Sequence, residues 1–377
     1  MTGRSPAESH RAATPLELFF DLVFVVALAR AAAALHHAAA ENHLADGLLL
    51  FSMAFFGIWW AWMNFTWFAS AYDTDDVPYR LLAFLQLVGA LIFAAAVGER
   101  FTGPAYPVGV LGYVVMRIAL IGQWLRVARQ DPGHRATALR YAVGIAVVQT
   151  LWVGTIWAPE ATRTTLFFVL VLAELLVPVI AEQARGTPWH AEHIAERYGL
   201  FTIIVLGESV LSASLAIEAI TSSSGFALAL LPVVIGGLLL LFSMWWVYFD
   251  GAPVSLLRMP RGAWAWGYGH VLVFGAGAAV GAGIAVAADH AAHHAEIPGL
   301  LAGMMVAVPA AVFLLSLWVL HLLTGERDGS PGATLVTVVV IAASPWTGQA
   351  VLVSGLAMAG LVAAKLLRRL RETVAHS

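Results

Sequence analysis

The chain has no cysteine. That excludes disulfides, a thiolate nucleophile and any Cys-ligated metal site. It is also poor in charge: 11% of its 377 residues are Asp, Glu, Lys or Arg, against about 25% in soluble domains. Lysine occurs once, as Lys365 at the end of the last apolar run, so a Schiff-base lysine in mid-membrane is excluded. No GxxxxGK[ST] loop is present, which removes ATP hydrolysis as a source of work. No HExxH run or Ser-His-Asp arrangement stands out. A formal net charge of −3 gives no basis for a nucleic-acid partner. The first fourteen residues are polar and the segment after them is long enough to span a membrane, so a cleavable signal peptide is not expected.

What is there is apolar. Hydrophobic residues make up 60% of the chain and the mean hydropathy is +0.82. Apolar runs of 18 or more residues recur along nearly the whole length, which predicts an all-α, polytopic integral membrane protein. Twelve spans are expected, at roughly 15–35, 45–70, 78–97, 105–128, 138–157, 164–183, 197–217, 226–249, 263–287, 299–323, 333–344 and 347–367, the eleventh being short. With both termini cytoplasmic, 16 basic residues fall on the inner side and 2, Arg100 and Arg163, on the outer side, with Arg30 and Arg117 inside spans. Such a bias fixes orientation and favours an even number of spans.

The first span, PLELFFDLVFVVALAR, carries Glu17 and Asp21 four residues apart, on one helix face and one turn from each other. Thr14, Pro15 and Glu17 read as a helix start: a threonine cap, proline at the first position and a capping-box glutamate. Asp21 has no capping task. It sits about 10 Å inside the helix start, among Phe19, Phe20, Leu22, Val23 and Phe24, where an acid is costly and usually functional.

The second span is aromatic from Phe55 to Tyr72, with Asn64 as a polar group. It reads either as an interfacial belt with helix packing or as a wall lining a solute path. Asp73, Asp75 and Asp76 follow it, with Asp76 placed to cap the next helix. The string is either a solvated loop or a cytoplasmic vestibule that attracts cations.

The segment 185–200, RGTPWHAEHIAERYGL, divides the chain near its middle. The expected organisation is a tail at 1–14, six spans over 15–184, a connector at 185–196, six spans over 197–367 and a tail at 368–377. Trp59-Trp60 and Trp245-Trp246 echo each other across the connector, as two six-helix halves of the same orientation would. Glu208 falls near the centre of the seventh span and Glu174 within the sixth, where Pro178 frees a carbonyl one turn later. Arg117 lies within the fourth. Intramembrane charges pair with one another or line a cavity. By span position Arg117 is expected to pair with Glu174 or Glu208. Asp21 is expected to have only Arg30 in its own helix, about 13 Å along the axis, and so to be the first choice for a proton or cation site, with Glu208 as gate or structural partner.

Two expected outer segments are rich in histidine: His36, His37 and His43 with Glu41, and His290, His293 and His294 with Asp289 and Glu296. His290 and His294 would share a helical face, the spacing of a metal pair, but no second cluster completes a site. No metal and no cofactor are expected.

Three stretches together, PLELFFDLVFVVALA, WWAWMNFTWFASAYDTDD and AERYGLFTIIVLGESVL, resemble the bacterial low temperature requirement A (LtrA) family over about residues 14–370. The resemblance implies a multi-pass membrane protein of the bacterial cytoplasmic membrane. It points at Glu17, Asp21, the Asp73–Asp76 string, Arg197 and Glu208. The family name records a phenotype and not a reaction, so no substrate comes with it.

Mid-membrane acids, twelve spans and the absence of a nucleotide motif lead to an ion-coupled secondary transporter of a small solute, with H+ or Na+ as the second ion. A membrane sensor or scaffold in stress or cold adaptation is the alternative, although no soluble domain is attached to signal. A lipid-acting enzyme is third: its candidate groups, the Asp73–Asp76 string and the histidine-rich segments, fall on opposite sides of the membrane. Neither a substrate nor an oligomeric state follows from these residues.

Overall fold

In a computed structural model the chain is described except for residues 6, 7, 9, 10, 98–105, 225–227, 252, 253, 260, 261, 296, 325–330 and 377. Arg100, Arg261, Glu296 and Arg327, invoked above, lie outside the described residues. Among those described, twelve α-helices and no strand occur. They are α1 (Pro15–Ala40), α2 (Leu44–Tyr72), α3 (Val77–Val97), α4 (Tyr106–Gln130), α5 (Arg135–Gly154), α6 (Glu160–Glu182), α7 (Ala191–Ser224), α8 (Leu231–Gly251), α9 (Gly262–Ala291), α10 (Gly299–Thr324), α11 (Pro331–Ala343) and α12 (Ala350–His376). Eleven are long and apolar enough to cross a membrane; α11 continues through a 3-10 turn into a shorter apolar stretch, Pro331–Thr347. The protein is a polytopic membrane protein of about twelve helices.

Local sequence explains the helix starts. At α1 the Thr14 N–H donates to Glu17 Oε2 (2.8 Å) and the Glu17 N–H donates back to Thr14 Oγ1 (3.3 Å), the reciprocal capping box. At α3 the Tyr79 N–H donates to Asp76 Oδ1 (2.8 Å), which satisfies one of the free amides of the first turn. The largest departure from the sequence reading is α7. Hydropathy starts this span at 197, yet the helix begins at Ala191. Its first turns carry His193, Glu196 and Arg197; His193 and Arg197 are fully buried in protein. A hydropathy window measures affinity for lipid and passes over a helix segment whose solvent is other side chains.

The described residues form two compact units, Met1–Ala31 with Ser52–Leu200, and Ala32–Phe51 with Phe201–Ser377. In the first, α3 and α4 approach closely: a Cβ on Gly112 would stand 2.5 Å from the Phe93 amide nitrogen. In the second, α9 and α10 do the same, and a Cβ on Gly283 would stand 2.1 Å from the Met305 carbonyl oxygen. Small residues at helix crossings are how membrane helices gain van der Waals contact when the surrounding solvent is itself apolar. Large apolar side chains such as Leu22, Leu81, Val143, Leu172, Phe242 and Leu272 are correspondingly exposed, as a surface facing acyl chains requires.

Candidate functional site

Two i, i+4 pairs meet in the first unit. The capping box of α1 places Glu17 in its first turn and Asp21 one turn on. The first turns of α7 place His193 and Arg197 at the same spacing. All four side chains are 0% exposed. The Arg197 guanidinium grips Asp21 with two donors, Nη2 to Oδ1 at 2.5 Å and Nε to Oδ2 at 3.3 Å. Its Nη1 stands 3.0 Å from Glu17 Oε1, and its Nη2 also reaches the Glu17 carbonyl at 3.4 Å. His193 Nε2 is 3.3 Å from Glu17 Oε2. From α2, Trp62 Nε1 donates to Asp21 Oδ1 at 2.7 Å. The Trp62 ring meets Tyr198 edge-on at 5.0 Å, which holds the indole in place.

The cluster is incompletely satisfied. Glu17 Oε1 and Arg197 Nη1 sit close without an aligned hydrogen bond, and His193 Nδ1 and the Tyr79 hydroxyl of α3 are buried without a partner among the described residues. Its charge is also unbalanced. Two carboxylates face one guanidinium, a formal −1 with both acids ionised and His193 neutral.

The N-terminal segment closes over this region. Arg11 donates through Nη1 to the Ser70 carbonyl and through Nη2 to the Ala69 carbonyl (2.7 Å), both in the last turn of α2, where carbonyls run short of helical partners; Ala69 also accepts from the Asp73 amide at 3.0 Å. Arg4 pairs with Glu8 at 2.6 Å and lies 3.9 Å from Asp73. Burial, reinforced by the charge of Glu17, raises the Asp73 carboxyl above the ordinary aspartate range, against the Asp75 amide and Arg11. Asp75 pairs with Arg80 through Nε (2.7 Å) and Nη2 (2.5 Å), and that hydrogen bond lowers its pKa. Asp76 pairs with Arg126 at 2.6 Å. The Asp73–Asp76 string, which as sequence reads either as a solvated loop or as an acidic vestibule, has its charges engaged within the protein. Asp75 and Asp76 each have an arginine, Asp73 is buried, and the string presents little free negative charge.

A second buried network lies in the same unit and is balanced. Glu174 of α6 accepts from Trp60 Nε1 (2.9 Å), the Tyr113 hydroxyl (3.1 Å) and Gln149 Nε2 (2.9 Å). Arg117 of α4 donates to the Tyr113 hydroxyl at 2.5 Å and stands 3.7 Å from Glu174. One guanidinium faces one carboxylate, and the carboxylate is fully hydrogen-bonded. This network joins α2, α4, α5 and α6 and needs no further ion.

The remaining sequence candidates are separate. Glu208 is half-buried and accepts from Ser212 Oγ at 2.8 Å; Arg117, expected for Glu208 or Glu174, is with Glu174. Asn64 donates back to the Trp60 carbonyl at 2.7 Å, spending its amide within α2. The expectation that Asp21 has only Arg30 for company is overturned by Arg197. That partner is 176 residues away in sequence, and span counting cannot pair residues across such a separation. In the second unit His36 Nε2 lies 2.6 Å from Asp289 Oδ2, and among the described residues no group of three or more His, Asp or Glu could hold a metal ion.

Sequence reasoning missed His193, Trp62 and Tyr79. For His193 a signal existed: it lies four residues before Arg197, the spacing Glu17 has to Asp21. For the two aromatics there was none, because an indole or phenol donor looks the same in a packing helix as in a site.

A family model for the bacterial low temperature requirement A protein (LtrA) matches residues 12–367. The chain is also similar to an uncharacterised protein of Rhizobium meliloti (strain 1021), 28% identical over 276 residues. That match covers 69% of this chain and 65% of the relative, so the chain spans just under two thirds of the relative's length. The family-model match over residues 12–367 contains α1 with its capping box, the aromatic α2 and the polar start of α7, so the charge cluster lies within it, and the chain belongs to the LtrA family.

Proposed function

We propose that the protein is a secondary transporter driven by an ion gradient, with Glu17, Asp21, His193 and Arg197 as the site where that ion is coupled. The observation that carries this reading is the ratio of two carboxyl groups to one guanidinium in a fully buried cluster. Ion pairs buried in low dielectric are poor devices for stability, and an unbalanced one is worse. A cluster that keeps the imbalance has a use for the ion that removes it. The Arg117–Glu174 network of the same unit is the contrast in charge: one guanidinium meets one carboxylate, although Arg117 Nε and Gln149 Oε1 are buried without a hydrogen bond among the described residues. Asp21 serves as the anchor that fixes the guanidinium, and Glu208, half-buried and hydrogen-bonded to Ser212, is a second acid for the solute path. The excess of basic residues at one set of helix ends supports cytoplasmic termini in the bacterial plasma membrane.

The test is ion movement in proteoliposomes. A pH dye trapped inside, or labelled Na+ outside, is followed while small solutes are added singly under an imposed gradient. A solute that makes the ion move, and that fails to do so in H193Q, supports the reading. A panel of amines, amino acids, sugars and carboxylates that moves neither ion overturns it.

A further inference from the structure

Resting on that reading for its role but not for its chemistry, we propose that the ion taken by this cluster is a proton, that His193 carries it, and that sodium has no site there. The coordination chemistry excludes the metal ion. Hard cations take about six oxygen ligands. Here each oxygen of the two carboxylates already faces a nitrogen donor. Asp21 Oδ1 receives Trp62 and Arg197, and Asp21 Oδ2 receives Arg197. Glu17 Oε2 receives the Thr14 amide and His193, and Glu17 Oε1 faces the guanidinium at 3.0 Å. A sodium ion would have to displace a guanidinium and stand beside it.

A proton needs only one lone pair, and two buried atoms of the cluster keep one without an aligned hydrogen bond: Glu17 Oε1, which faces the guanidinium at 3.0 Å, and His193 Nδ1, which faces no donor among the described residues. His190 is engaged at both ring nitrogens: its Nδ1 accepts from the His193 amide (3.2 Å) and its Nε2 lies 2.8 Å from the Glu8 carbonyl. His193 presents Nε2 to a carboxylate, which places its hydrogen there, and keeps Nδ1 buried with no partner. The other charges in reach do not change the count. Arg11 acts on Glu17, Asp73 and Glu8, and Arg4 on Glu8, Asp73 and Glu17; with all of these ionised, four carboxylates (Glu8, Glu17, Asp21 and Asp73) face three guanidiniums (Arg4, Arg11 and Arg197), so the surplus is still one, and Tyr79 adds no charge when protonated. The cluster therefore holds −1 with His193 neutral and 0 with His193 protonated.

Neither state is fully satisfied. The neutral imidazole leaves a buried surplus charge; the protonated one leaves an N–H on Nδ1 without an acceptor. Two imperfect states of one site are what reversible loading requires, whereas a permanent ion pair would be complete in one of them.

The experiment uses the full chain in lipid nanodiscs and needs no variant for assignment. His193 precedes Ile194, and no other histidine in the chain is followed by isoleucine, so 13C-histidine with 15N-isoleucine identifies its signals in the native protein. The expected result is an imidazole that gains a second N–H as the pH is lowered, with a midpoint unchanged between sodium-free and sodium-containing buffer. In E17Q the midpoint should fall, because the carboxylate that favours imidazolium is gone. A His193 that keeps one protonation state throughout, or a midpoint that moves with sodium, overturns the proposal. Titration of His193 in a protein whose proteoliposomes move no solute would retain the proton site and remove the transport reading; sodium-driven flux with an inert His193 would do the reverse.

Discussion

At the scale of residues, the cluster predicts an asymmetry that ordinary pairing does not. Removing one partner of a balanced buried pair is costly from either side, about 3–5 kcal/mol. Here R197Q leaves two buried carboxylates together, whereas D21N leaves Glu17 and Arg197 as a neutral pair. The expected outcome is that R197Q loses that full amount while D21N loses clearly less, read from thermal unfolding in one detergent. Equal losses would show that the surplus charge is not felt. The carboxylates Glu17 and Asp21 were legible in the sequence because an acid among phenylalanines has no bland explanation. Their partners were not. As sequence, Arg197 counts as an inner-side cation and, on the family resemblance, stands with Asp73, Asp75 and Asp76 at the cytoplasmic mouth; only the earlier start of α7 turns it inward to Asp21.

At the scale of elements, two junctions can be tested without touching the cluster. Asp76 caps α3 and pairs with Arg126. Burial pushes its carboxyl up, but Arg126 and the Tyr79 amide outweigh that and hold the pKa below the ordinary aspartate value. The stabilisation is therefore complete above about pH 3.9 and is lost as the pH falls through the lowered folded value. D76A should cost about 1 kcal/mol near neutrality, from the lost cap, and should flatten the acid limb of the stability curve. A variant as acid-sensitive as the parent would count against the pairing. In the second unit, G283A puts a methyl group against the Met305 carbonyl of α10. Overpacking of this kind costs about 1–3 kcal/mol, and the unfolding temperature should fall accordingly. The helices themselves were largely legible, since apolar length is what hydropathy measures and most observed bounds lie within a few residues of those expected. The start of α7 was not, because its buried polar turns look to a hydropathy window like a connector.

At the scale of the whole molecule, the outside is apolar as well as the core, and a few charges sit within. Leu22, Val143 and Leu272 face outward, while Glu17, Asp21, Arg117, Glu174, His193 and Arg197 are buried. Orientation can be read directly. A reporter fused after Ser377 should give its cytoplasmic signal, from the 16 to 2 distribution of basic residues in the sequence. The structure takes Arg197 out of that count as a buried ion-pair partner and leaves the sign unchanged. A signal from the other side would require an odd number of crossings, and α11 is the helix short enough to supply it.

The 176 residues between Asp21 and Arg197 also set a schedule. Chains grow at about 5–20 residues per second, so the guanidinium follows the carboxylates by roughly 9 to 35 s. Through that interval α1 exists with two acids and no counter-charge. It must enter the bilayer with those acids protonated or wait beside the insertion machinery. Trp62, only 41 residues behind Asp21, is synthesised long before Arg197. For most of its birth, Asp21 has an indole where the finished protein has an arginine as well.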